Sequence, residues 1–169
     1  DGSFNGNFRV GVGAYLWIPE KEALELVESL WSSSSSSSIS MLLKQFLQED
    51  KVAVSHFHLP DGGGSTNVEL LTLRTALQHK PTASTTINND DLLPPSAASS
   101  KVQFTLYSDC SCGIQAMKQS KRTDLVDAIH VKGHCPSSLR CGVEQIFPVV
   151  HKLASRRLKE RVQQLSSMS

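Results

Sequence analysis

The feature that most constrains this chain is an eleven-residue alternation near its start. Phe8, Val10, Val12, Ala14, Leu16 and Ile18 interleave with Arg9, Gly11, Gly13, Tyr15 and Trp17. A period of two held this long predicts a β-strand with one buried face. Gly11 and Gly13 leave the other face without side chains, the mark of a bulge or of a backbone that another element approaches closely. Pro19 ends the strand and is suited to the first position of a helix. Glu20 and Glu22 follow at its positive end, and Ala23, Leu24, Val27, Leu30 and Trp31 recur at helical spacing.

Past that helix the chain turns polar. A serine tract over 32–38 brings no apolar surface and competes for backbone hydrogen bonds, so it reads as a flexible linker and suggests a eukaryotic source. A short helix over Met41–Leu47 follows. Val52–Leu59 and Val68–Leu77 are expected to form a hairpin across Asp61-Gly62-Gly63-Gly64; Leu70, Leu71, Leu73 and Leu77 of the second arm also fit a helix, but Val68 and the threonines at 66, 72 and 75 favour a strand. The three glycines are a turn rather than a phosphate cradle, because no Gly-Lys-Ser/Thr accompanies them. Residues 78–100 carry Pro81, an Asn-Asn-Asp-Asp cluster and Pro94-Pro95, and are expected to be a long loop.

The second half resumes alternation at Lys101–Ser108. A tight turn at Cys110-Ser111-Cys112-Gly113 is expected to lead into an antiparallel partner at Ile114–Lys118. Asp124–Lys132 fits a strand or a short helix and is read as a strand. From Pro148 to Leu165 the pattern predicts the longest helix. The expected class is therefore α+β: a mainly antiparallel sheet built from hairpins, two helices near the N-terminus and a long C-terminal helix. The expected organisation is one domain over 1–169, interrupted by the serine tract and the long loop.

At 169 residues the chain is long enough to bury a core without disulfide or metal staples. No apolar run reaches the ~20 residues of a membrane span. The four cysteines make no disulfide scaffold, no Asn-x-Ser/Thr site occurs, and the start at Asp1 has no signal-peptide pattern. These features predict a fragment or processed product in the nucleus or cytoplasm. The net charge of +1 conceals a split: residues 1–100 carry six Lys/Arg against eleven Asp/Glu, and residues 101–169 carry eleven against five. Such a split points to a charged partner.

Four groups of residues bear on function. Cys110, Cys112, His130, His134, Cys135 and Cys141 are the densest set of zinc-ligand types, but Cys-x-Cys and an adjacent His-Cys pair are not compact-finger spacings. A cysteine nucleophile with His130 or His134 as base is suggested by residue type only. His56 and His58, flanked by Asp50 and Asp61, read as the solvated face of a half-buried strand with Ala53, Phe57 and Leu59 inward. On the C-terminal helix, Val150, Ala154, Leu158 and Val162 form an apolar stripe widened by Val149, Leu153 and Leu165. Opposite it stand His151, Lys152, Arg156, Arg157, Lys159 and Arg161, with Lys118, Lys121 and Arg122 available to extend the patch and Lys132 and Arg140 beyond them.

The expectation is a non-enzymatic assembly domain that binds another protein subunit, or itself, through a sheet edge and the C-terminal helix. The alternative is a nucleic-acid-binding module using the basic region 118–161. A third reading is a zinc-stabilised domain or a cysteine enzyme; otherwise no cofactor is expected.

Overall fold

The computed structural model describes residues 1–32, 41, 44–45, 51–81, 104–119, 126–132 and 142–168. The elements are β1 (Gly2–Asn5), β2 (Val10–Leu16), α1 (Glu20–Ser32), β3 (Val52–His58), α2 (Ser65–Gln78), β4 (Phe104–Ser108), α3 (Ser111–Gln119), β5 (Val126–His130) and α4 (Phe147–Ser167), with a 3₁₀ turn at Gly142–Gln145 before α4. This is an α+β arrangement. β1, β2 and β3 form an antiparallel sheet in that order, and β4 and β5 form a parallel pair. The serine tract beyond Ser32, most of the short helix after it and the loop from residue 82 lie outside the described residues.

β2 is the centre of the antiparallel sheet, and both of its faces are buried rather than one. Ala14, with Leu16 of β2 and Val52 and Val54 of β3 beside it, packs on Val150, Leu153 and Ala154 of α4. The opposite face carries Gly11 and Gly13, and here α2 lies directly on the backbone. A Cβ on Gly13 would stand 1.9 Å from Thr72 Oγ1, and one on Gly11 would stand 2.3 Å from a Val68 methyl. The two glycines are thus the groove that admits α2, and Val68 and Thr72 are its fully buried contacts.

Three sequence expectations are corrected. Val68–Leu77 belongs to a helix, not to the second arm of a hairpin: Val68, Thr72, Leu73 and Ala76 are its buried face. The three threonines that favoured a strand are accommodated because Thr72 and Thr75 donate their hydroxyls to the carbonyls four residues back, at 2.7 and 2.8 Å. Ile114–Lys118 is likewise helical, within α3, so Cys110–Gly113 opens a helix instead of turning a hairpin. The unit β4–α3–β5 is a parallel crossover, with Phe104 opposite Val126 and Ser108 opposite His130. On β3, Ala53, Phe57 and Leu59 are half-buried and His56 and His58 exposed as expected, but the histidine face is not solvated throughout, since Val52 and Val54 on it pack against α4.

The parallel pair has its own core, Leu106, Cys110, Ile114 and Val126, closed by Leu73 of α2. Trp17 ties the two sheets together. Its indole donates to the Ala76 carbonyl at 3.1 Å, and its ring meets Phe104 edge-on at 5.3 Å between centroids. We expect Trp17→Ala to cost about 3 kcal/mol through lost burial and the cavity left behind. Trp17→Phe, which keeps a ring but no donor, should cost about 1 kcal/mol. Urea unfolding followed by circular dichroism measures both, and equal costs would show that the ring contact does not matter.

Candidate functional site: an acidic cluster at the carboxyl edge of the parallel strands

In open sheets, ligands are taken up beyond the carboxyl ends of parallel strands. Here that edge is marked by Asp109, the residue after β4, and by Val131 and Lys132, the residues after β5; the Val131 amide donates to the Ser108 carbonyl at 2.8 Å. His130 Nε2 donates to the Asp109 carbonyl at 3.2 Å and steadies the backbone there.

Two more carboxylates gather at this edge. Asp1 continues β1 by one residue, exchanging backbone hydrogen bonds with Ala14 at 2.9 and 3.0 Å. Glu69 follows the buried Val68 on α2, and its backbone nitrogen lies 2.8 Å from where a Cβ of Gly2 would stand. The absence of a side chain at Gly2 lets this turn of α2 approach β1. Burial pushes the Asp1 amine below its ordinary value, while the nearby charges of Asp109 and Glu69 oppose that fall. The Asp1 amine, Glu69 and Asp109, 68 and 40 residues apart along the chain, thus lie within electrostatic range of one another, while the Asp1 carboxylate turns to His151 on α4.

The Asp1 ammonium brings one positive charge to Glu69 and Asp109, yet two carboxylate oxygens remain without a hydrogen bond. The Asp1 side chain is 2% exposed; His151 Nδ1 lies 3.2 Å from its Oδ1, and its Oδ2 has no hydrogen-bond partner. Asp109 Oδ1 is also buried and without a partner. A buried carboxylate oxygen left unpaired costs about 1–3 kcal/mol, more when charged, so each of the two is a place where a water, a proton or a cation is favoured. Among the described residues no group of three or more His, Cys, Asp or Glu side chains is placed so that it could hold a metal ion.

Cys110 stands beside this cluster. It is 2% exposed, its Sγ lies 3.3 Å from that of Cys112, and it hydrogen-bonds Glu69. Burial, helped by the contacts with Cys112 and Glu69, pushes its thiol up to about 12, so at neutral pH it is a protonated thiol and not the sulfur that first meets an outside reagent. Of the zinc set proposed from sequence, Cys110 and Cys112 come together, His130 holds the Asp109 backbone, and His134, Cys135 and Cys141 lie outside the described residues.

The basic set divides. Arg156 and Arg157 both donate to Glu160 at 2.9 Å, so one carboxylate offsets two of the cations on α4. Those hydrogen bonds hold the Glu160 carboxyl below its usual range. Lys118, Lys152, Lys159 and Arg161 are exposed, whereas Lys121 and Arg122 fall outside the described residues. The proximal part of the apolar stripe of α4, Val149, Val150, Leu153 and Ala154, is buried within the fold, while Leu158, Val162 and Leu165 remain half-buried.

Two cavities among the described residues bear on what could bind. One of about 230 Å³ lies between the end of β2 and β4, lined mainly by apolar side chains such as Leu16, Ile18, Phe104 and Leu106. It is below the roughly 300–1,000 Å³ of small-molecule sites. The other is a groove beside β3, where Val54 and His56 face Arg157, Glu160, Arg161 and Gln164.

No family model, curated protein or solved structure matches this chain. No described helix is long and apolar enough to cross a membrane. The chemistry is therefore read from the cluster itself. Sequence reasoning passed over Asp1, Glu69 and Asp109. The signals were an acid placed directly between a strand and a helix, at Ser108-Asp109, and an acid beside the buried face of α2, at Glu69.

Proposed function

We propose that the protein is a divalent-metal-dependent hydrolase of phosphodiester bonds in nucleic acid, with Asp1, Glu69 and Asp109 as the metal-holding groups. The observation that carries this reading is the pair of buried, unpartnered carboxylate oxygens, Asp1 Oδ2 and Asp109 Oδ1. An all-oxygen donor set suits Mg²⁺ or Mn²⁺ rather than zinc. Few protein ligands leave coordination positions for water and for a substrate phosphate, as in phosphoryl-transfer sites. The excess of cations in residues 101–169 supplies the complementary charge for a polyanion. This joins the basic-region reading to a chemistry that the sequence alone did not suggest.

Divalent cations held there would polarise a phosphate oxygen and activate the attacking water. The chain's own residues do the positioning. The backbone pairing with Ala14 fixes Asp1, α2 presents Glu69, the end of β4 presents Asp109, and His151 orients the Asp1 carboxylate through Nδ1. Lys132, exposed two residues after β5, stands at the same strand edge as Asp109 and can hold a flanking phosphate.

The test is cleavage of end-labelled single-stranded RNA, duplex DNA and an RNA–DNA hybrid in low salt with Mg²⁺ or Mn²⁺. We expect cleavage of at least one substrate, its abolition by a chelator, and a loss of about 10²–10³-fold on Asp109→Asn, the scale for removing one group that stabilises transition-state charge. Cleavage that persists in chelator, or an Asp109→Asn variant as active as the parent, contradicts the reading. So does the absence of cleavage of all three substrates with both metals.

A further inference from the structure

The proposed hydrolase site does not use the sulfur pair next to it. Cys110 Sγ and Cys112 Sγ stand 3.3 Å apart in the first turn of α3. That is closer than two sulfurs rest without an interaction, and about 1.3 Å of movement reaches the S–S bond length of ~2.05 Å. The two thiols differ in access. Cys112 is exposed, whereas Cys110 is buried among Leu73, Leu106, Ile114 and Val126. This is the arrangement of an oxidisable thiol with a resolving partner beside it.

Cys110 also reaches the acidic cluster. Its neighbour in the chain is Asp109, and its thiol hydrogen-bonds Glu69. The Cys110 amide is anchored by the Ser108 hydroxyl at 3.1 Å, and its carbonyl accepts from the Ile114 amide at 3.0 Å. With the backbone so pinned, closing the sulfur gap has to come from side-chain rotation. That rotation draws Sγ toward Cys112 and replaces its S–H with an S–S bond.

We infer that Cys110 and Cys112 form a peroxide-sensitive thiol–disulfide site that controls the Glu69 side of the acidic cluster. The Cys112 sulfur attacks hydrogen peroxide, the O–O bond breaks, and a sulfenic acid and water result. The Cys110 sulfur then displaces the sulfenic hydroxyl, which leaves with the thiol proton as a second water. Two thiols lose two electrons in all and peroxide gains them; a dithiol reductant reverses the change. In the disulfide Glu69 has lost its thiol donor. The effect on activity rests on the hydrolase reading, whereas the formation of the bond does not.

The experiment uses a Cys135→Ser/Cys141→Ser background, so that only this pair can react, with micromolar peroxide followed by intact mass and thiol titration. We expect a loss of two mass units and of both thiols, restored by dithiothreitol, and no such species in a further Cys112→Ser variant. On the substrate that the parent cleaves, activity should fall about tenfold on oxidation, as for loss of an outer partner of a metal ligand, and recover on reduction. Two free thiols remaining after peroxide would overturn the site itself. A quantitative disulfide with cleavage unchanged would overturn its control of Glu69. If the protein cleaves no substrate at all, the hydrolase reading fails while the mass and thiol results still decide the disulfide.

Discussion

Asp109→Asn should make the metal-free protein more stable while removing its response to metal. In chelator the substitution removes a negative charge whose buried Oδ1 has no hydrogen-bond partner. We expect a gain of about 1 kcal/mol, the lower end of what an unsatisfied buried group costs. The parent should gain from Mg²⁺ instead. At ten times the dissociation constant, binding to the folded state alone is worth about 1.4 kcal/mol. For a chain of this size that is a rise of roughly 3–6 °C in melting temperature. The variant should show little or none of it. Opposite effects of one substitution in chelator and in metal separate a site kept for its ligand from one kept for the fold. A variant that is less stable in chelator and rises with Mg²⁺ as much as the parent would mean that Asp109 serves the fold.

The second large effect is expected at Gly13. An added methyl would sit 1.9 Å from Thr72 Oγ1 and 2.8 Å from its Cβ and Cγ2. Thr72 cannot swing away cheaply, since it is 1% exposed and its hydroxyl is bonded to the Val68 carbonyl. Either α2 lifts from β2 or the β2 backbone bends, and both disturb the packing that carries Glu69 to the cluster. We expect Gly13→Ala to cost about 3 kcal/mol, the upper range for overpacking, and to lower the melting temperature by roughly 6–12 °C. Combined with Thr72→Ala the added cost should shrink, because the closest atom is then gone. A cost below about 1 kcal/mol, or no coupling with Thr72→Ala, would show that α2 does not press on the strand.

Elements governed by local pattern were legible in the sequence. The β2 alternation, the Pro19 start of α1, β4, β5 and α4 all follow from periodicity and proline placement. What failed was the inference from side-chain type at α2 and α3. Threonines and a glycine-rich turn spoke for strands, but Thr72 and Thr75 satisfy their hydroxyls on the helix itself, and Gly11 and Gly13 make room for it. Glycine in β2 was recognised as a place of close approach; the sequence could not tell which element approached. The acidic cluster stayed hidden for the same reason. With 68–77 read as a strand, Glu69 had no shared face with Asp1 or Asp109, and attention went to the cysteines, whose chemistry is more conspicuous. The charge split was visible throughout, yet the strongest cationic run is partly cancelled in space, because Glu160 takes up both Arg156 and Arg157.

The central claim is that Asp1, Glu69 and Asp109 bind a hard divalent cation, and calorimetric titration of the chelator-treated protein with Mn²⁺ tests it most directly. The account predicts saturable binding of one or two ions per chain, weakened at least tenfold by Asp109→Asn and unaffected by Arg156→Ala. Failure to saturate, or equal affinity in the parent and Asp109→Asn, would contradict it.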